Sequence, residues 1–572
     1  MTPVPRLSVR PLVAAALAGV LVVGCGGEPT PAPAQPTAQT AGQLPTAAPL
    51  EPDESQTLIF GHPDDATKLD PADVTDGESL LVTLHLYEGL TRYKPGTTEP
   101  EPSLATAWTT SDDGLEWTFT LREGVTFHDG TAFDADAVVW NFNRWFDEAH
   151  RQHFENWDFE YWPSMFQGFK DQDSDEDGEA DSVFVSAEAV DATTVKLTLS
   201  RPNAPLLQTL AMSNFAFSSP AAVEKAGASY GTPDGDPVEA GTGPYMLEEW
   251  VPKDQITVAA YPDYWGDPPA TPTIVFRVIP DGTARFLALQ SGEIDGMNQV
   301  NPEDIATAEG DPNVKVVLEP ANNVGYLGFN QAQEPWDNLD CRMAVAQAID
   351  KQSIVDTLYA GDAEAAKEMM PPGLWGYNTS ITDHPFDMVA AKASLDKCLA
   401  TESMPDPVLF YVPPVQRFYF PKPKELGEIV QAALSGLGIN SEIQSPDWGS
   451  VYLPDVRNGK AHLFLLGWGG DNGDPDNFLC VFFCGGSADF NGDAEGNPLP
   501  PDPELNELLR RAATLSTQAE REPLYQEANQ MVHDGVLAVP IVHRSPPLIF
   551  RSNVEGYVSS PIQTILTHVS KN

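Results

Sequence analysis

Segments with a strand pattern and segments with a helix pattern follow one another from Gln56 to the C-terminal end of the chain. Short β-branched or alternating runs predict strands at 57–60, 115–121, 193–199 and 273–278. Apolar residues at helical spacing predict helices at 80–90, 135–146, 340–360 and 504–515. Because such alternation is typical of α/β proteins, we predict an α/β fold. The 572 residues are enough for two or three units with hydrophobic cores of their own.

One predicted strand ends in an unusual way. Residues 462–466, HLFLL, are a short apolar run that predicts a buried strand, and GWGGDNGDPDN follows directly at 467–477. A carboxylate at the end of a buried strand is unfavourable unless a positive charge meets it. We therefore expect a cation near Asp471, supplied by the protein or by a ligand. Asp474 and Asp476 are predicted to form the turn rather than to bind a ligand.

The N-terminal end has the features of an export signal. Arg6 and Arg10 form a basic region, residues 11–23 an apolar segment, and Cys25 follows a small residue. This order resembles the bacterial lipobox, which implies cleavage before Cys25 and a lipid on its sulfur. The alternative is a plain signal peptide with an incidental cysteine. We predict a signal peptide at 1–24 and an extracytoplasmic protein anchored to the cell membrane by lipid.

A proline-rich segment follows the predicted lipid anchor. Residues 26–54 contain seven prolines and no aromatic residue. Such a composition predicts an extended tether that carries the folded part away from the lipid. We assign residues 25–55 to the lipidated cysteine and this tether.

The net charge is strongly negative. The formal value of −51 at pH 7 argues against nucleic acid or anionic lipid as a partner, because the protein repels both. Two interpretations of the acidity stay open: adaptation to a saline habitat, or a merely acidic secreted protein. A sharp loss of stability on removal of salt would support the first.

Four cysteines remain after Cys25, and an even number in an exported protein predicts disulfides. Four cysteines allow three pairings. We favour Cys341 with Cys398, which would tie two helical segments together, and a local bridge between Cys480 and Cys484. The alternative for the local pair is a metal or redox site of the CxxxC kind.

An acidic insertion at 170–182, KDQDSDEDGEADS, has the spacing of a calcium loop. Alternate oxygen ligands before a turning glycine, here Gly178, are what such a loop requires. The glutamate expected at the twelfth position is missing, because Phe184 stands there. A structural calcium site and a solvated acidic loop are the two interpretations. The aspartates that would bind calcium are Asp173, Asp175, Asp177 and Asp181.

Catalytic signatures are absent from the sequence. We find no HExxH, no G-x-S-x-G, no phosphate loop and no GxGxxG after a strand. His128 beside Asp129 lies in a predicted turn, where an exposed capping role is the expected one. We predict that the chain is not an enzyme and uses no cofactor apart from the calcium considered above.

A series of short motifs runs through the chain in a fixed order. They are LYEGL at 86–90, PSLA at 102–105, SDDGLEWTFTLREGVTFHDGTAF at 111–133, GTGPY at 241–245, DYW at 263–265, ALQSGEID at 288–295, NVGY at 323–326 and AQAID at 346–350. Their order and spacing resemble those of the solute-binding proteins of peptide-type ABC importers. The resemblance implies a monomeric receptor that captures its ligand between two lobes and delivers it to a permease.

The resemblance also implies the division of the chain. In this family two α/β lobes are joined by two chain crossings and close by hinge motion. We place the crossings near 318–322 and 543–547. Lobe I, with an extra subdomain, would span 56–318, lobe II would span 319–545, and 546–572 would return to lobe I.

Two stretches are similar to dipeptide-binding proteins in particular: GWGGDNGDPDN at 467–477 and PVQR at 414–417. The similarity implies that Asp471 binds the α-ammonium group of a peptide and that Arg417 binds its α-carboxylate. It further implies that Trp468 and Trp448 enclose the ligand and that Thr75 lies on its lobe I side. Core packing of the two tryptophans and a surface position of the arginine are the alternatives. Other ligands known in the family are oligosaccharides, nickel complexes, opines and haem, and a hydrolase or sensor on the same scaffold is a further alternative.

Overall fold

A computed structural model describes residues 56–154, 157, 159–173, 178–233, 240–484 and 502–572. The strands are β1 (Thr57–His62), β2 (Thr91–Tyr93), β3 (Pro100–Pro102), β4 (Ala105–Thr110), β5 (Glu116–Leu121), β6 (Phe184–Asp191), β7 (Thr194–Leu199), β8 (Tyr245–Val251), β9 (Gln255–Ala260), β10 (Thr273–Val278), β11 (Gly296–Met297), β12 (Val314–Leu318), β13 (Asn323–Phe329), β14 (Ala363–Ala365), β15 (Val408–Tyr411), β16 (Ser441–Gln444), β17 (Leu463–Gly469), β18 (Ala538–Arg544), β19 (Pro547–Arg551), β20 (Val554–Glu555) and β21 (Ser570–Lys571).

The helices alternate with these strands. They are α1 (Gly77–Leu86), α2 (Ala135–Phe146), α3 (Tyr161–Phe166), α4 (Leu206–Thr209), α5 (Pro220–Ala226), α6 (Gly282–Ser291), α7 (Pro302–Gly310), α8 (Leu339–Ala348), α9 (Lys351–Leu358), α10 (Met388–Cys398), α11 (Pro423–Leu437), α12 (Leu453–Arg457), α13 (Asp476–Phe483), α14 (Pro503–Thr514) and α15 (Gln518–Asp534). Within the described residues, no helix combines the length and the hydropathy that a membrane span requires.

Two mixed sheets organise the described residues, and each belongs to one lobe. The sheet of lobe I has the strand order β12-β19-β11-β1-β10-β9-β8, and the sheet of lobe II has the order β14-β18-β13-β17-β15-β16. β1 runs parallel to β10 and β11, and β15 runs parallel to β16 and β17. The predicted two-lobed α/β fold is confirmed.

The chain passes between the sheets at two places that lie side by side. The first crossing leads from β12 to β13, and the second leads from β18 to β19. The Glu319 N–H donates to the Pro546 carbonyl oxygen at 2.9 Å. The Asn323 side chain accepts from the Arg544 N–H at 3.0 Å and donates to the Arg544 carbonyl oxygen at 2.7 Å. Hydrogen bonds therefore join the two crossings directly.

Lobe I contains a second sheet with the order β4-β5-β7-β6. All its strand pairs are antiparallel, and α2 packs against it through a buried aromatic face. Phe142 of α2 and Phe184 of β6 stack with ring centroids 5.3 Å apart. This sheet lies where the extra subdomain of lobe I is predicted.

Several of the family motifs meet at one half-buried acid in lobe I. The Glu88 carboxylate accepts from the Thr242 hydroxyl (3.0 Å), the Tyr264 hydroxyl (2.9 Å) and the Trp265 indole N–H (2.8 Å). Burial raises the pKa of Glu88, and these three donors act in the opposite direction. The motifs LYEGL, GTGPY and DYW thus build one internal hydrogen-bond network.

The predicted buried strand at 462–466 is confirmed from Leu463 onwards, as part of β17 at the centre of the lobe II sheet. Leu463 and Leu465 belong to the core on one face of the sheet, whereas Phe464 and Leu466 belong to the core on the other face. A strand covered on both faces needs apolar residues at every position, which explains the continuous run.

Two local predictions are wrong. The helix predicted at 340–360 is two helices, α8 and α9, and Asp350 between them caps α9 by accepting from the Ser353 N–H. Asn338 caps α8 by accepting from the Asp340 N–H. His128 is buried rather than exposed: its Nε2 lies 3.0 Å from the Gly243 carbonyl oxygen, and burial lowers the pKa of its imidazole to about 4.

Both favoured cysteine pairs are present in lobe II. A disulfide joins Cys341 of α8 to Cys398 of α10, with their Cα atoms 4.9 Å apart. A second disulfide joins Cys480 to Cys484 at the end of α13, with Cα atoms 4.6 Å apart. The first links two of the helices that cover one face of the lobe II sheet, and the second closes one helical turn.

Candidate functional site

The loop after β17 places one acid at the border between the lobes. Asp471 follows the last residue of β17 by two positions and is half-buried. The Tyr161 hydroxyl of lobe I donates to Asp471 Oδ1 at 3.1 Å. The Tyr93 hydroxyl, also of lobe I, lies 3.4 Å from the Asp471 carbonyl oxygen. The acid that the sequence predicts as a ligand therefore faces lobe I.

Asp471 is surrounded by neutral hydrogen-bond donors. Asn477 Nδ2 donates to Asp471 Oδ2 at 3.1 Å, and the Asp471 N–H donates to Asn477 Oδ1 at 2.7 Å. No lysine or arginine of the described chain forms an ion pair with this carboxylate. Burial raises the pKa of Asp471 to about 6, and the bonds from Asn477 and Tyr161 only partly oppose this effect. The arrangement favours a cation as the missing partner.

The next acid in the loop has its cation inside the protein. Asp474 is fully buried and receives two bonds from the Arg521 guanidinium of α15, both at 2.7 Å. Its Oδ1 also accepts from the Asp476 N–H at 3.0 Å, which forms the predicted turn. Burial beside Asp474 raises the pKa of Asp476 to about 7. Asp474 thus fixes the loop that carries Asp471.

Arg417 lies in the turn between β15 and α11. Its N–H donates to the Phe420 carbonyl oxygen at 3.0 Å, and its guanidinium carbon lies 4.7 Å from the centre of the Trp448 ring. The Arg417 Nε atom is buried and has no hydrogen-bond partner among the described residues. Burial raises the pKa of Glu78 in α1 of lobe I, and the positive charge of Arg417 opposes that rise. The positive charge of Arg417 therefore acts on an acid of lobe I.

Aromatic rings connect the turn of Arg417 to the strand that leads to Asp471. A Cβ atom added to Gly467 would lie 2.5 Å from Tyr419 Cδ2, and one added to Gly469 would lie 2.8 Å from Phe418 Cζ. Larger residues at these two positions would displace the rings. The glycines of GWGG are thus needed because the residues after Arg417 pack directly on β17.

The two predicted tryptophans have different neighbours in this region. Trp468 of β17 donates from Nε1 to Asn477 Oδ1 at 3.3 Å, in the group around Asp471. Trp448 stacks on Tyr452 with ring centroids 5.0 Å apart, in the group around Arg417. Both rings are partly buried against the same core of lobe II.

Thr75 is the least connected of the predicted residues. It is exposed in lobe I, directly before Asp76, which caps α1 by accepting from the Ser79 N–H. Among the contacts of the described residues, none joins Thr75 to the groups around Asp471 or Arg417.

The lobes are in contact around the site. Lys422 Nζ of lobe II lies 3.2 Å from Glu303 Oε2 of lobe I, and Arg457 Nη2 lies 3.8 Å from Glu160 Oε1. Together with the bond from Tyr161 to Asp471, these pairs show direct contact between the two lobes.

Reasoning from the sequence did not identify Tyr93, Tyr161, Asn477 or Arg521. Asn477 is the last residue of the segment 467–477. Its contact with Asp471 could have been predicted, because asparagine side chains commonly bind nearby backbone groups. The two tyrosines are more than 300 positions away from Asp471 and lie outside the residues on which the resemblance rests.

Several predictions fall wholly or partly outside the described residues. The signal peptide at 1–24, Cys25 and the tether at 25–55 lie outside them, and so do Asp175 and Asp177 of the acidic insertion. Of the other two aspartates, Asp173 accepts from the Gly178 N–H at 3.0 Å, and the Asp181 N–H donates to Gln172. In the described part of the chain, no cluster of His, Cys, Asp or Glu is arranged to hold a metal ion. The calcium site stays a prediction.

Comparisons with known proteins give a consistent result. The model of the middle part of bacterial extracellular solute-binding proteins, family 5, matches residues 99–490. The dipeptide-binding protein of Escherichia coli is 32% identical over 523 residues, which cover 89% of this chain and 93% of that protein. Heme-binding protein A of Haemophilus influenzae is 32% identical over 504 residues, covering 86% and 88%.

Solved structures agree with the sequence matches. An ABC transporter-associated periplasmic binding protein from Helicobacter pylori, in complex with the peptide STSA, has a TM-score of 0.77 and 29% identity, covering 90% of this chain and 98% of its own. A dipeptide binding protein from Pseudoalteromonas sp. SM9913, in complex with Met-Leu, has a TM-score of 0.78 and 26% identity, covering 90% and 100%.

Proposed function

The chain belongs to the bacterial extracellular solute-binding proteins of family 5, the extracytoplasmic binding proteins of ABC importers, and we propose that it captures dipeptides or short peptides between its lobes. Its relatives are binding proteins and not enzymes. The ligand would be delivered to the permease unchanged.

One observation carries the proposal: Asp471 is an acid in the interlobe region with hydrogen bonds from neutral groups and no internal cation among the described residues. The α-ammonium group of a peptide has the charge and the donors that such a carboxylate needs, and it stays protonated near neutral pH. Binding would remove the penalty that raises the pKa of the Asp471 carboxyl. A neutral sugar would leave that penalty in place.

The other end of the peptide would bind Arg417. Its buried Nε atom offers an unused donor, and a guanidinium group binds a carboxylate through two parallel bonds. The stacking of Phe418 and Tyr419 on β17 supports a fixed separation between the two charged residues. Such a separation would favour one peptide length, because a longer peptide would carry its carboxylate past the arginine.

Trp468 and Trp448 would enclose the side chains of the peptide, since indole surfaces tolerate many partners. Thr75 would contact the ligand from lobe I only if its exposed segment moves on binding. Cys25 would carry the lipid that anchors the protein outside the cell membrane, with residues 26–54 as the tether.

A second candidate ligand is haem, because heme-binding protein A is as similar in sequence as the dipeptide-binding protein. Haem carries propionate groups but no ammonium group. It would therefore use Arg417 and would leave Asp471 without a cation.

Isothermal titration of the purified protein tests the proposal. The ligands are Ala-Ala, tri-alanine, N-acetyl-Ala-Ala, haem and cellobiose. We expect Ala-Ala to bind, acetylation of its amino group to abolish binding, and tri-alanine to bind more weakly. Binding of haem or cellobiose without binding of any peptide would leave the family unchanged and overturn the peptide assignment.

A further inference from the structure

The second chain crossing carries an arginine that reaches the turn of Arg417. Arg544 is the last residue of β18 and is almost completely buried. Its Nη1 donates to the Phe418 carbonyl oxygen at 2.8 Å, one residue after Arg417. The side chain at the crossing thus holds the backbone next to the residue that would bind the carboxylate.

An acid fixes the orientation of this arginine. Arg544 Nε donates to Asp362 Oδ2 at 2.8 Å, and Nη2 lies 2.8 Å from the same oxygen. Both side chains are 2% exposed, so water cannot compensate for the loss of either partner. A buried guanidinium with a fixed counterion presents its remaining donor in one direction.

The backbone of Arg544 is held equally firmly. The Asn323 side chain, at the other crossing, binds both its N–H and its carbonyl oxygen. Arg544 therefore connects three elements: the first crossing through Asn323, β14 through the preceding Asp362, and the turn of Arg417 through Phe418.

The remaining contacts of the turn do not replace this bond. The Tyr359 hydroxyl donates to the Tyr419 carbonyl oxygen at 2.8 Å, and the rings of Phe418 and Tyr419 lie on the glycines of β17. These contacts hold the far side of the turn and its rings. Arg544 holds the Phe418 carbonyl group, which lies one peptide unit beyond the bond between Arg417 and Phe418.

We propose that Arg544 is a positioning residue for the recognition of the ligand carboxylate. By tying the turn of Arg417 to the crossings, it fixes the position of Arg417 within lobe II. Arg544 itself need not touch the ligand. This inference rests on the proposed function, because it takes Arg417 as the carboxylate ligand.

The test measures recognition of the two ends of a dipeptide separately. The carboxylate ratio is the affinity for Ala-Ala divided by that for Ala-Ala amide, and the amine ratio is the affinity for Ala-Ala divided by that for N-acetyl-Ala-Ala. The main variant is the double substitution Asp362→Asn with Arg544→Met, which leaves neither buried charge unpaired. The full-length purified protein is used throughout.

We expect the carboxylate ratio to fall about tenfold in the double variant, which is the scale of one charged hydrogen bond, while the amine ratio stays unchanged. Arg544→Lys keeps a positive charge beside Asp362 but lacks the fork, and its carboxylate ratio should be intermediate. If the double variant does not fold, the carboxylate ratio of Arg544→Lys is compared with that of the unaltered protein instead.

Arg342 offers a matched control. It is a buried arginine of lobe II whose guanidinium donates to backbone carbonyl oxygens of Trp336, Asp337, Gly535 and Val536. Arg342→Met should reduce stability without changing either ratio. A fall of the carboxylate ratio in this control as well would show a general effect of destabilisation and would overturn the inference.

Different results would contradict the role of Arg417 in carboxylate binding and the positioning role of Arg544. A carboxylate ratio near one in the unaltered protein would overturn the role of Arg417 and with it the proposed function. A large ratio in the unaltered protein that persists in both Arg544 variants would overturn only the positioning role.

Discussion

Asp471 and Asp474 stand three residues apart in one loop and have opposite surroundings. Asp474 is fully buried and bound at both oxygens by Arg521 of α15. Asp471 lies where the lobes meet and is bound by the neutral side chains of Tyr161 and Asn477. Asp474 is paired with a cation of the protein, whereas Asp471 can accept a cation from a ligand.

The difference explains how one acidic loop can be held rigidly and still offer a carboxylate to a ligand. The pair of Asp474 and Arg521 anchors the loop on α15, and the Asn477 amide links Asp471 to Trp468. Because Asp474 fixes the loop, Asp471 can stay without a counterion, at the free-energy penalty of burying its charge. The penalty appears as the raised pKa of Asp471, about 6.

The largest expected effect is on stability, at Asp474. Asp474→Asn would leave the Arg521 charge buried without its anion, and breaking a buried pair in this way costs about 3–5 kcal/mol. Urea unfolding should show a loss of that size. Asp471→Asn is the matched control and should not lower the free energy of unfolding at neutral pH, because no internal ion pair is lost and a charge that burial disfavours is removed. Equal losses in the two variants would contradict the distinction between the two acids.

The second effect is on binding, at Asp471. Asp471→Asn should weaken Ala-Ala binding at least about 30-fold, equivalent to about 2 kcal/mol, because the ammonium group loses its anion. Titration calorimetry measures the loss. Asp112→Asn, at an exposed aspartate of lobe I, should leave affinity unchanged. Affinity for Ala-Ala that survives the Asp471 substitution would exclude amine capture at this residue.

The third effect is a pH dependence of binding. Because the pKa of Asp471 is raised from 3.8 to about 6, its carboxyl takes up a proton below that pH and no longer attracts an ammonium group. Affinity for Ala-Ala should fall about tenfold per pH unit below pH 6. Calorimetry between pH 5 and pH 8 tests this. The slope should vanish in Asp471→Asn, and a slope that persists there would assign the titration to another group.

The same shift has the opposite sign for stability without ligand. Between pH 3.8 and about 6 the folded state binds the proton of Asp471 more tightly than the unfolded state does. This group therefore stabilises the fold at low pH, and its contribution is lost as the pH rises through that window. Comparing the unfolding free energy of the unaltered protein with that of Asp471→Asn at both ends of the window isolates the contribution.

The contrast between the two acids also shows what could be predicted from the sequence. The apolar run at 462–466 and its abrupt change to glycine and aspartate are local signals, and they identified β17 and the acid at its end. The partner of Asp474 could not be identified in this way. Arg521 lies in α15 between two glutamates, where an arginine is usually solvated, and only the packing of α13 to α15 buries it.

The prediction of one helix at 340–360 was wrong for a related reason. Apolar spacing continues across 349–350, so the pattern predicts one helix where Asp350 ends one and caps the next. The capping residue was visible in the sequence, but its competition with the apolar pattern is decided by how α8 and α9 pack on the sheet. Long-range contacts likewise decide that Tyr161 reaches Asp471.

The smallest expected effect is at that tyrosine. Tyr161→Phe removes the hydroxyl that donates to Asp471 Oδ1 but leaves the carboxylate in place. Affinity for Ala-Ala at pH 8 should fall by about three- to tenfold, the size of the net contribution of a typical hydrogen bond. Because the Tyr161 hydroxyl lowers the pKa of Asp471, its loss should also move the pH midpoint of binding upwards.

The upward shift separates a role at Asp471 from a simple packing role of the Tyr161 ring. Phenylalanine keeps the ring, so a variant that only loosened α3 would lose affinity equally at every pH. Tyr87→Phe is the control, since its hydroxyl lies 3.1 Å from that of Tyr230 inside lobe I. A pH midpoint that stays unchanged in Tyr161→Phe would mean that Asp471 is tuned by Asn477 and burial alone, and that lobe I contributes only closure.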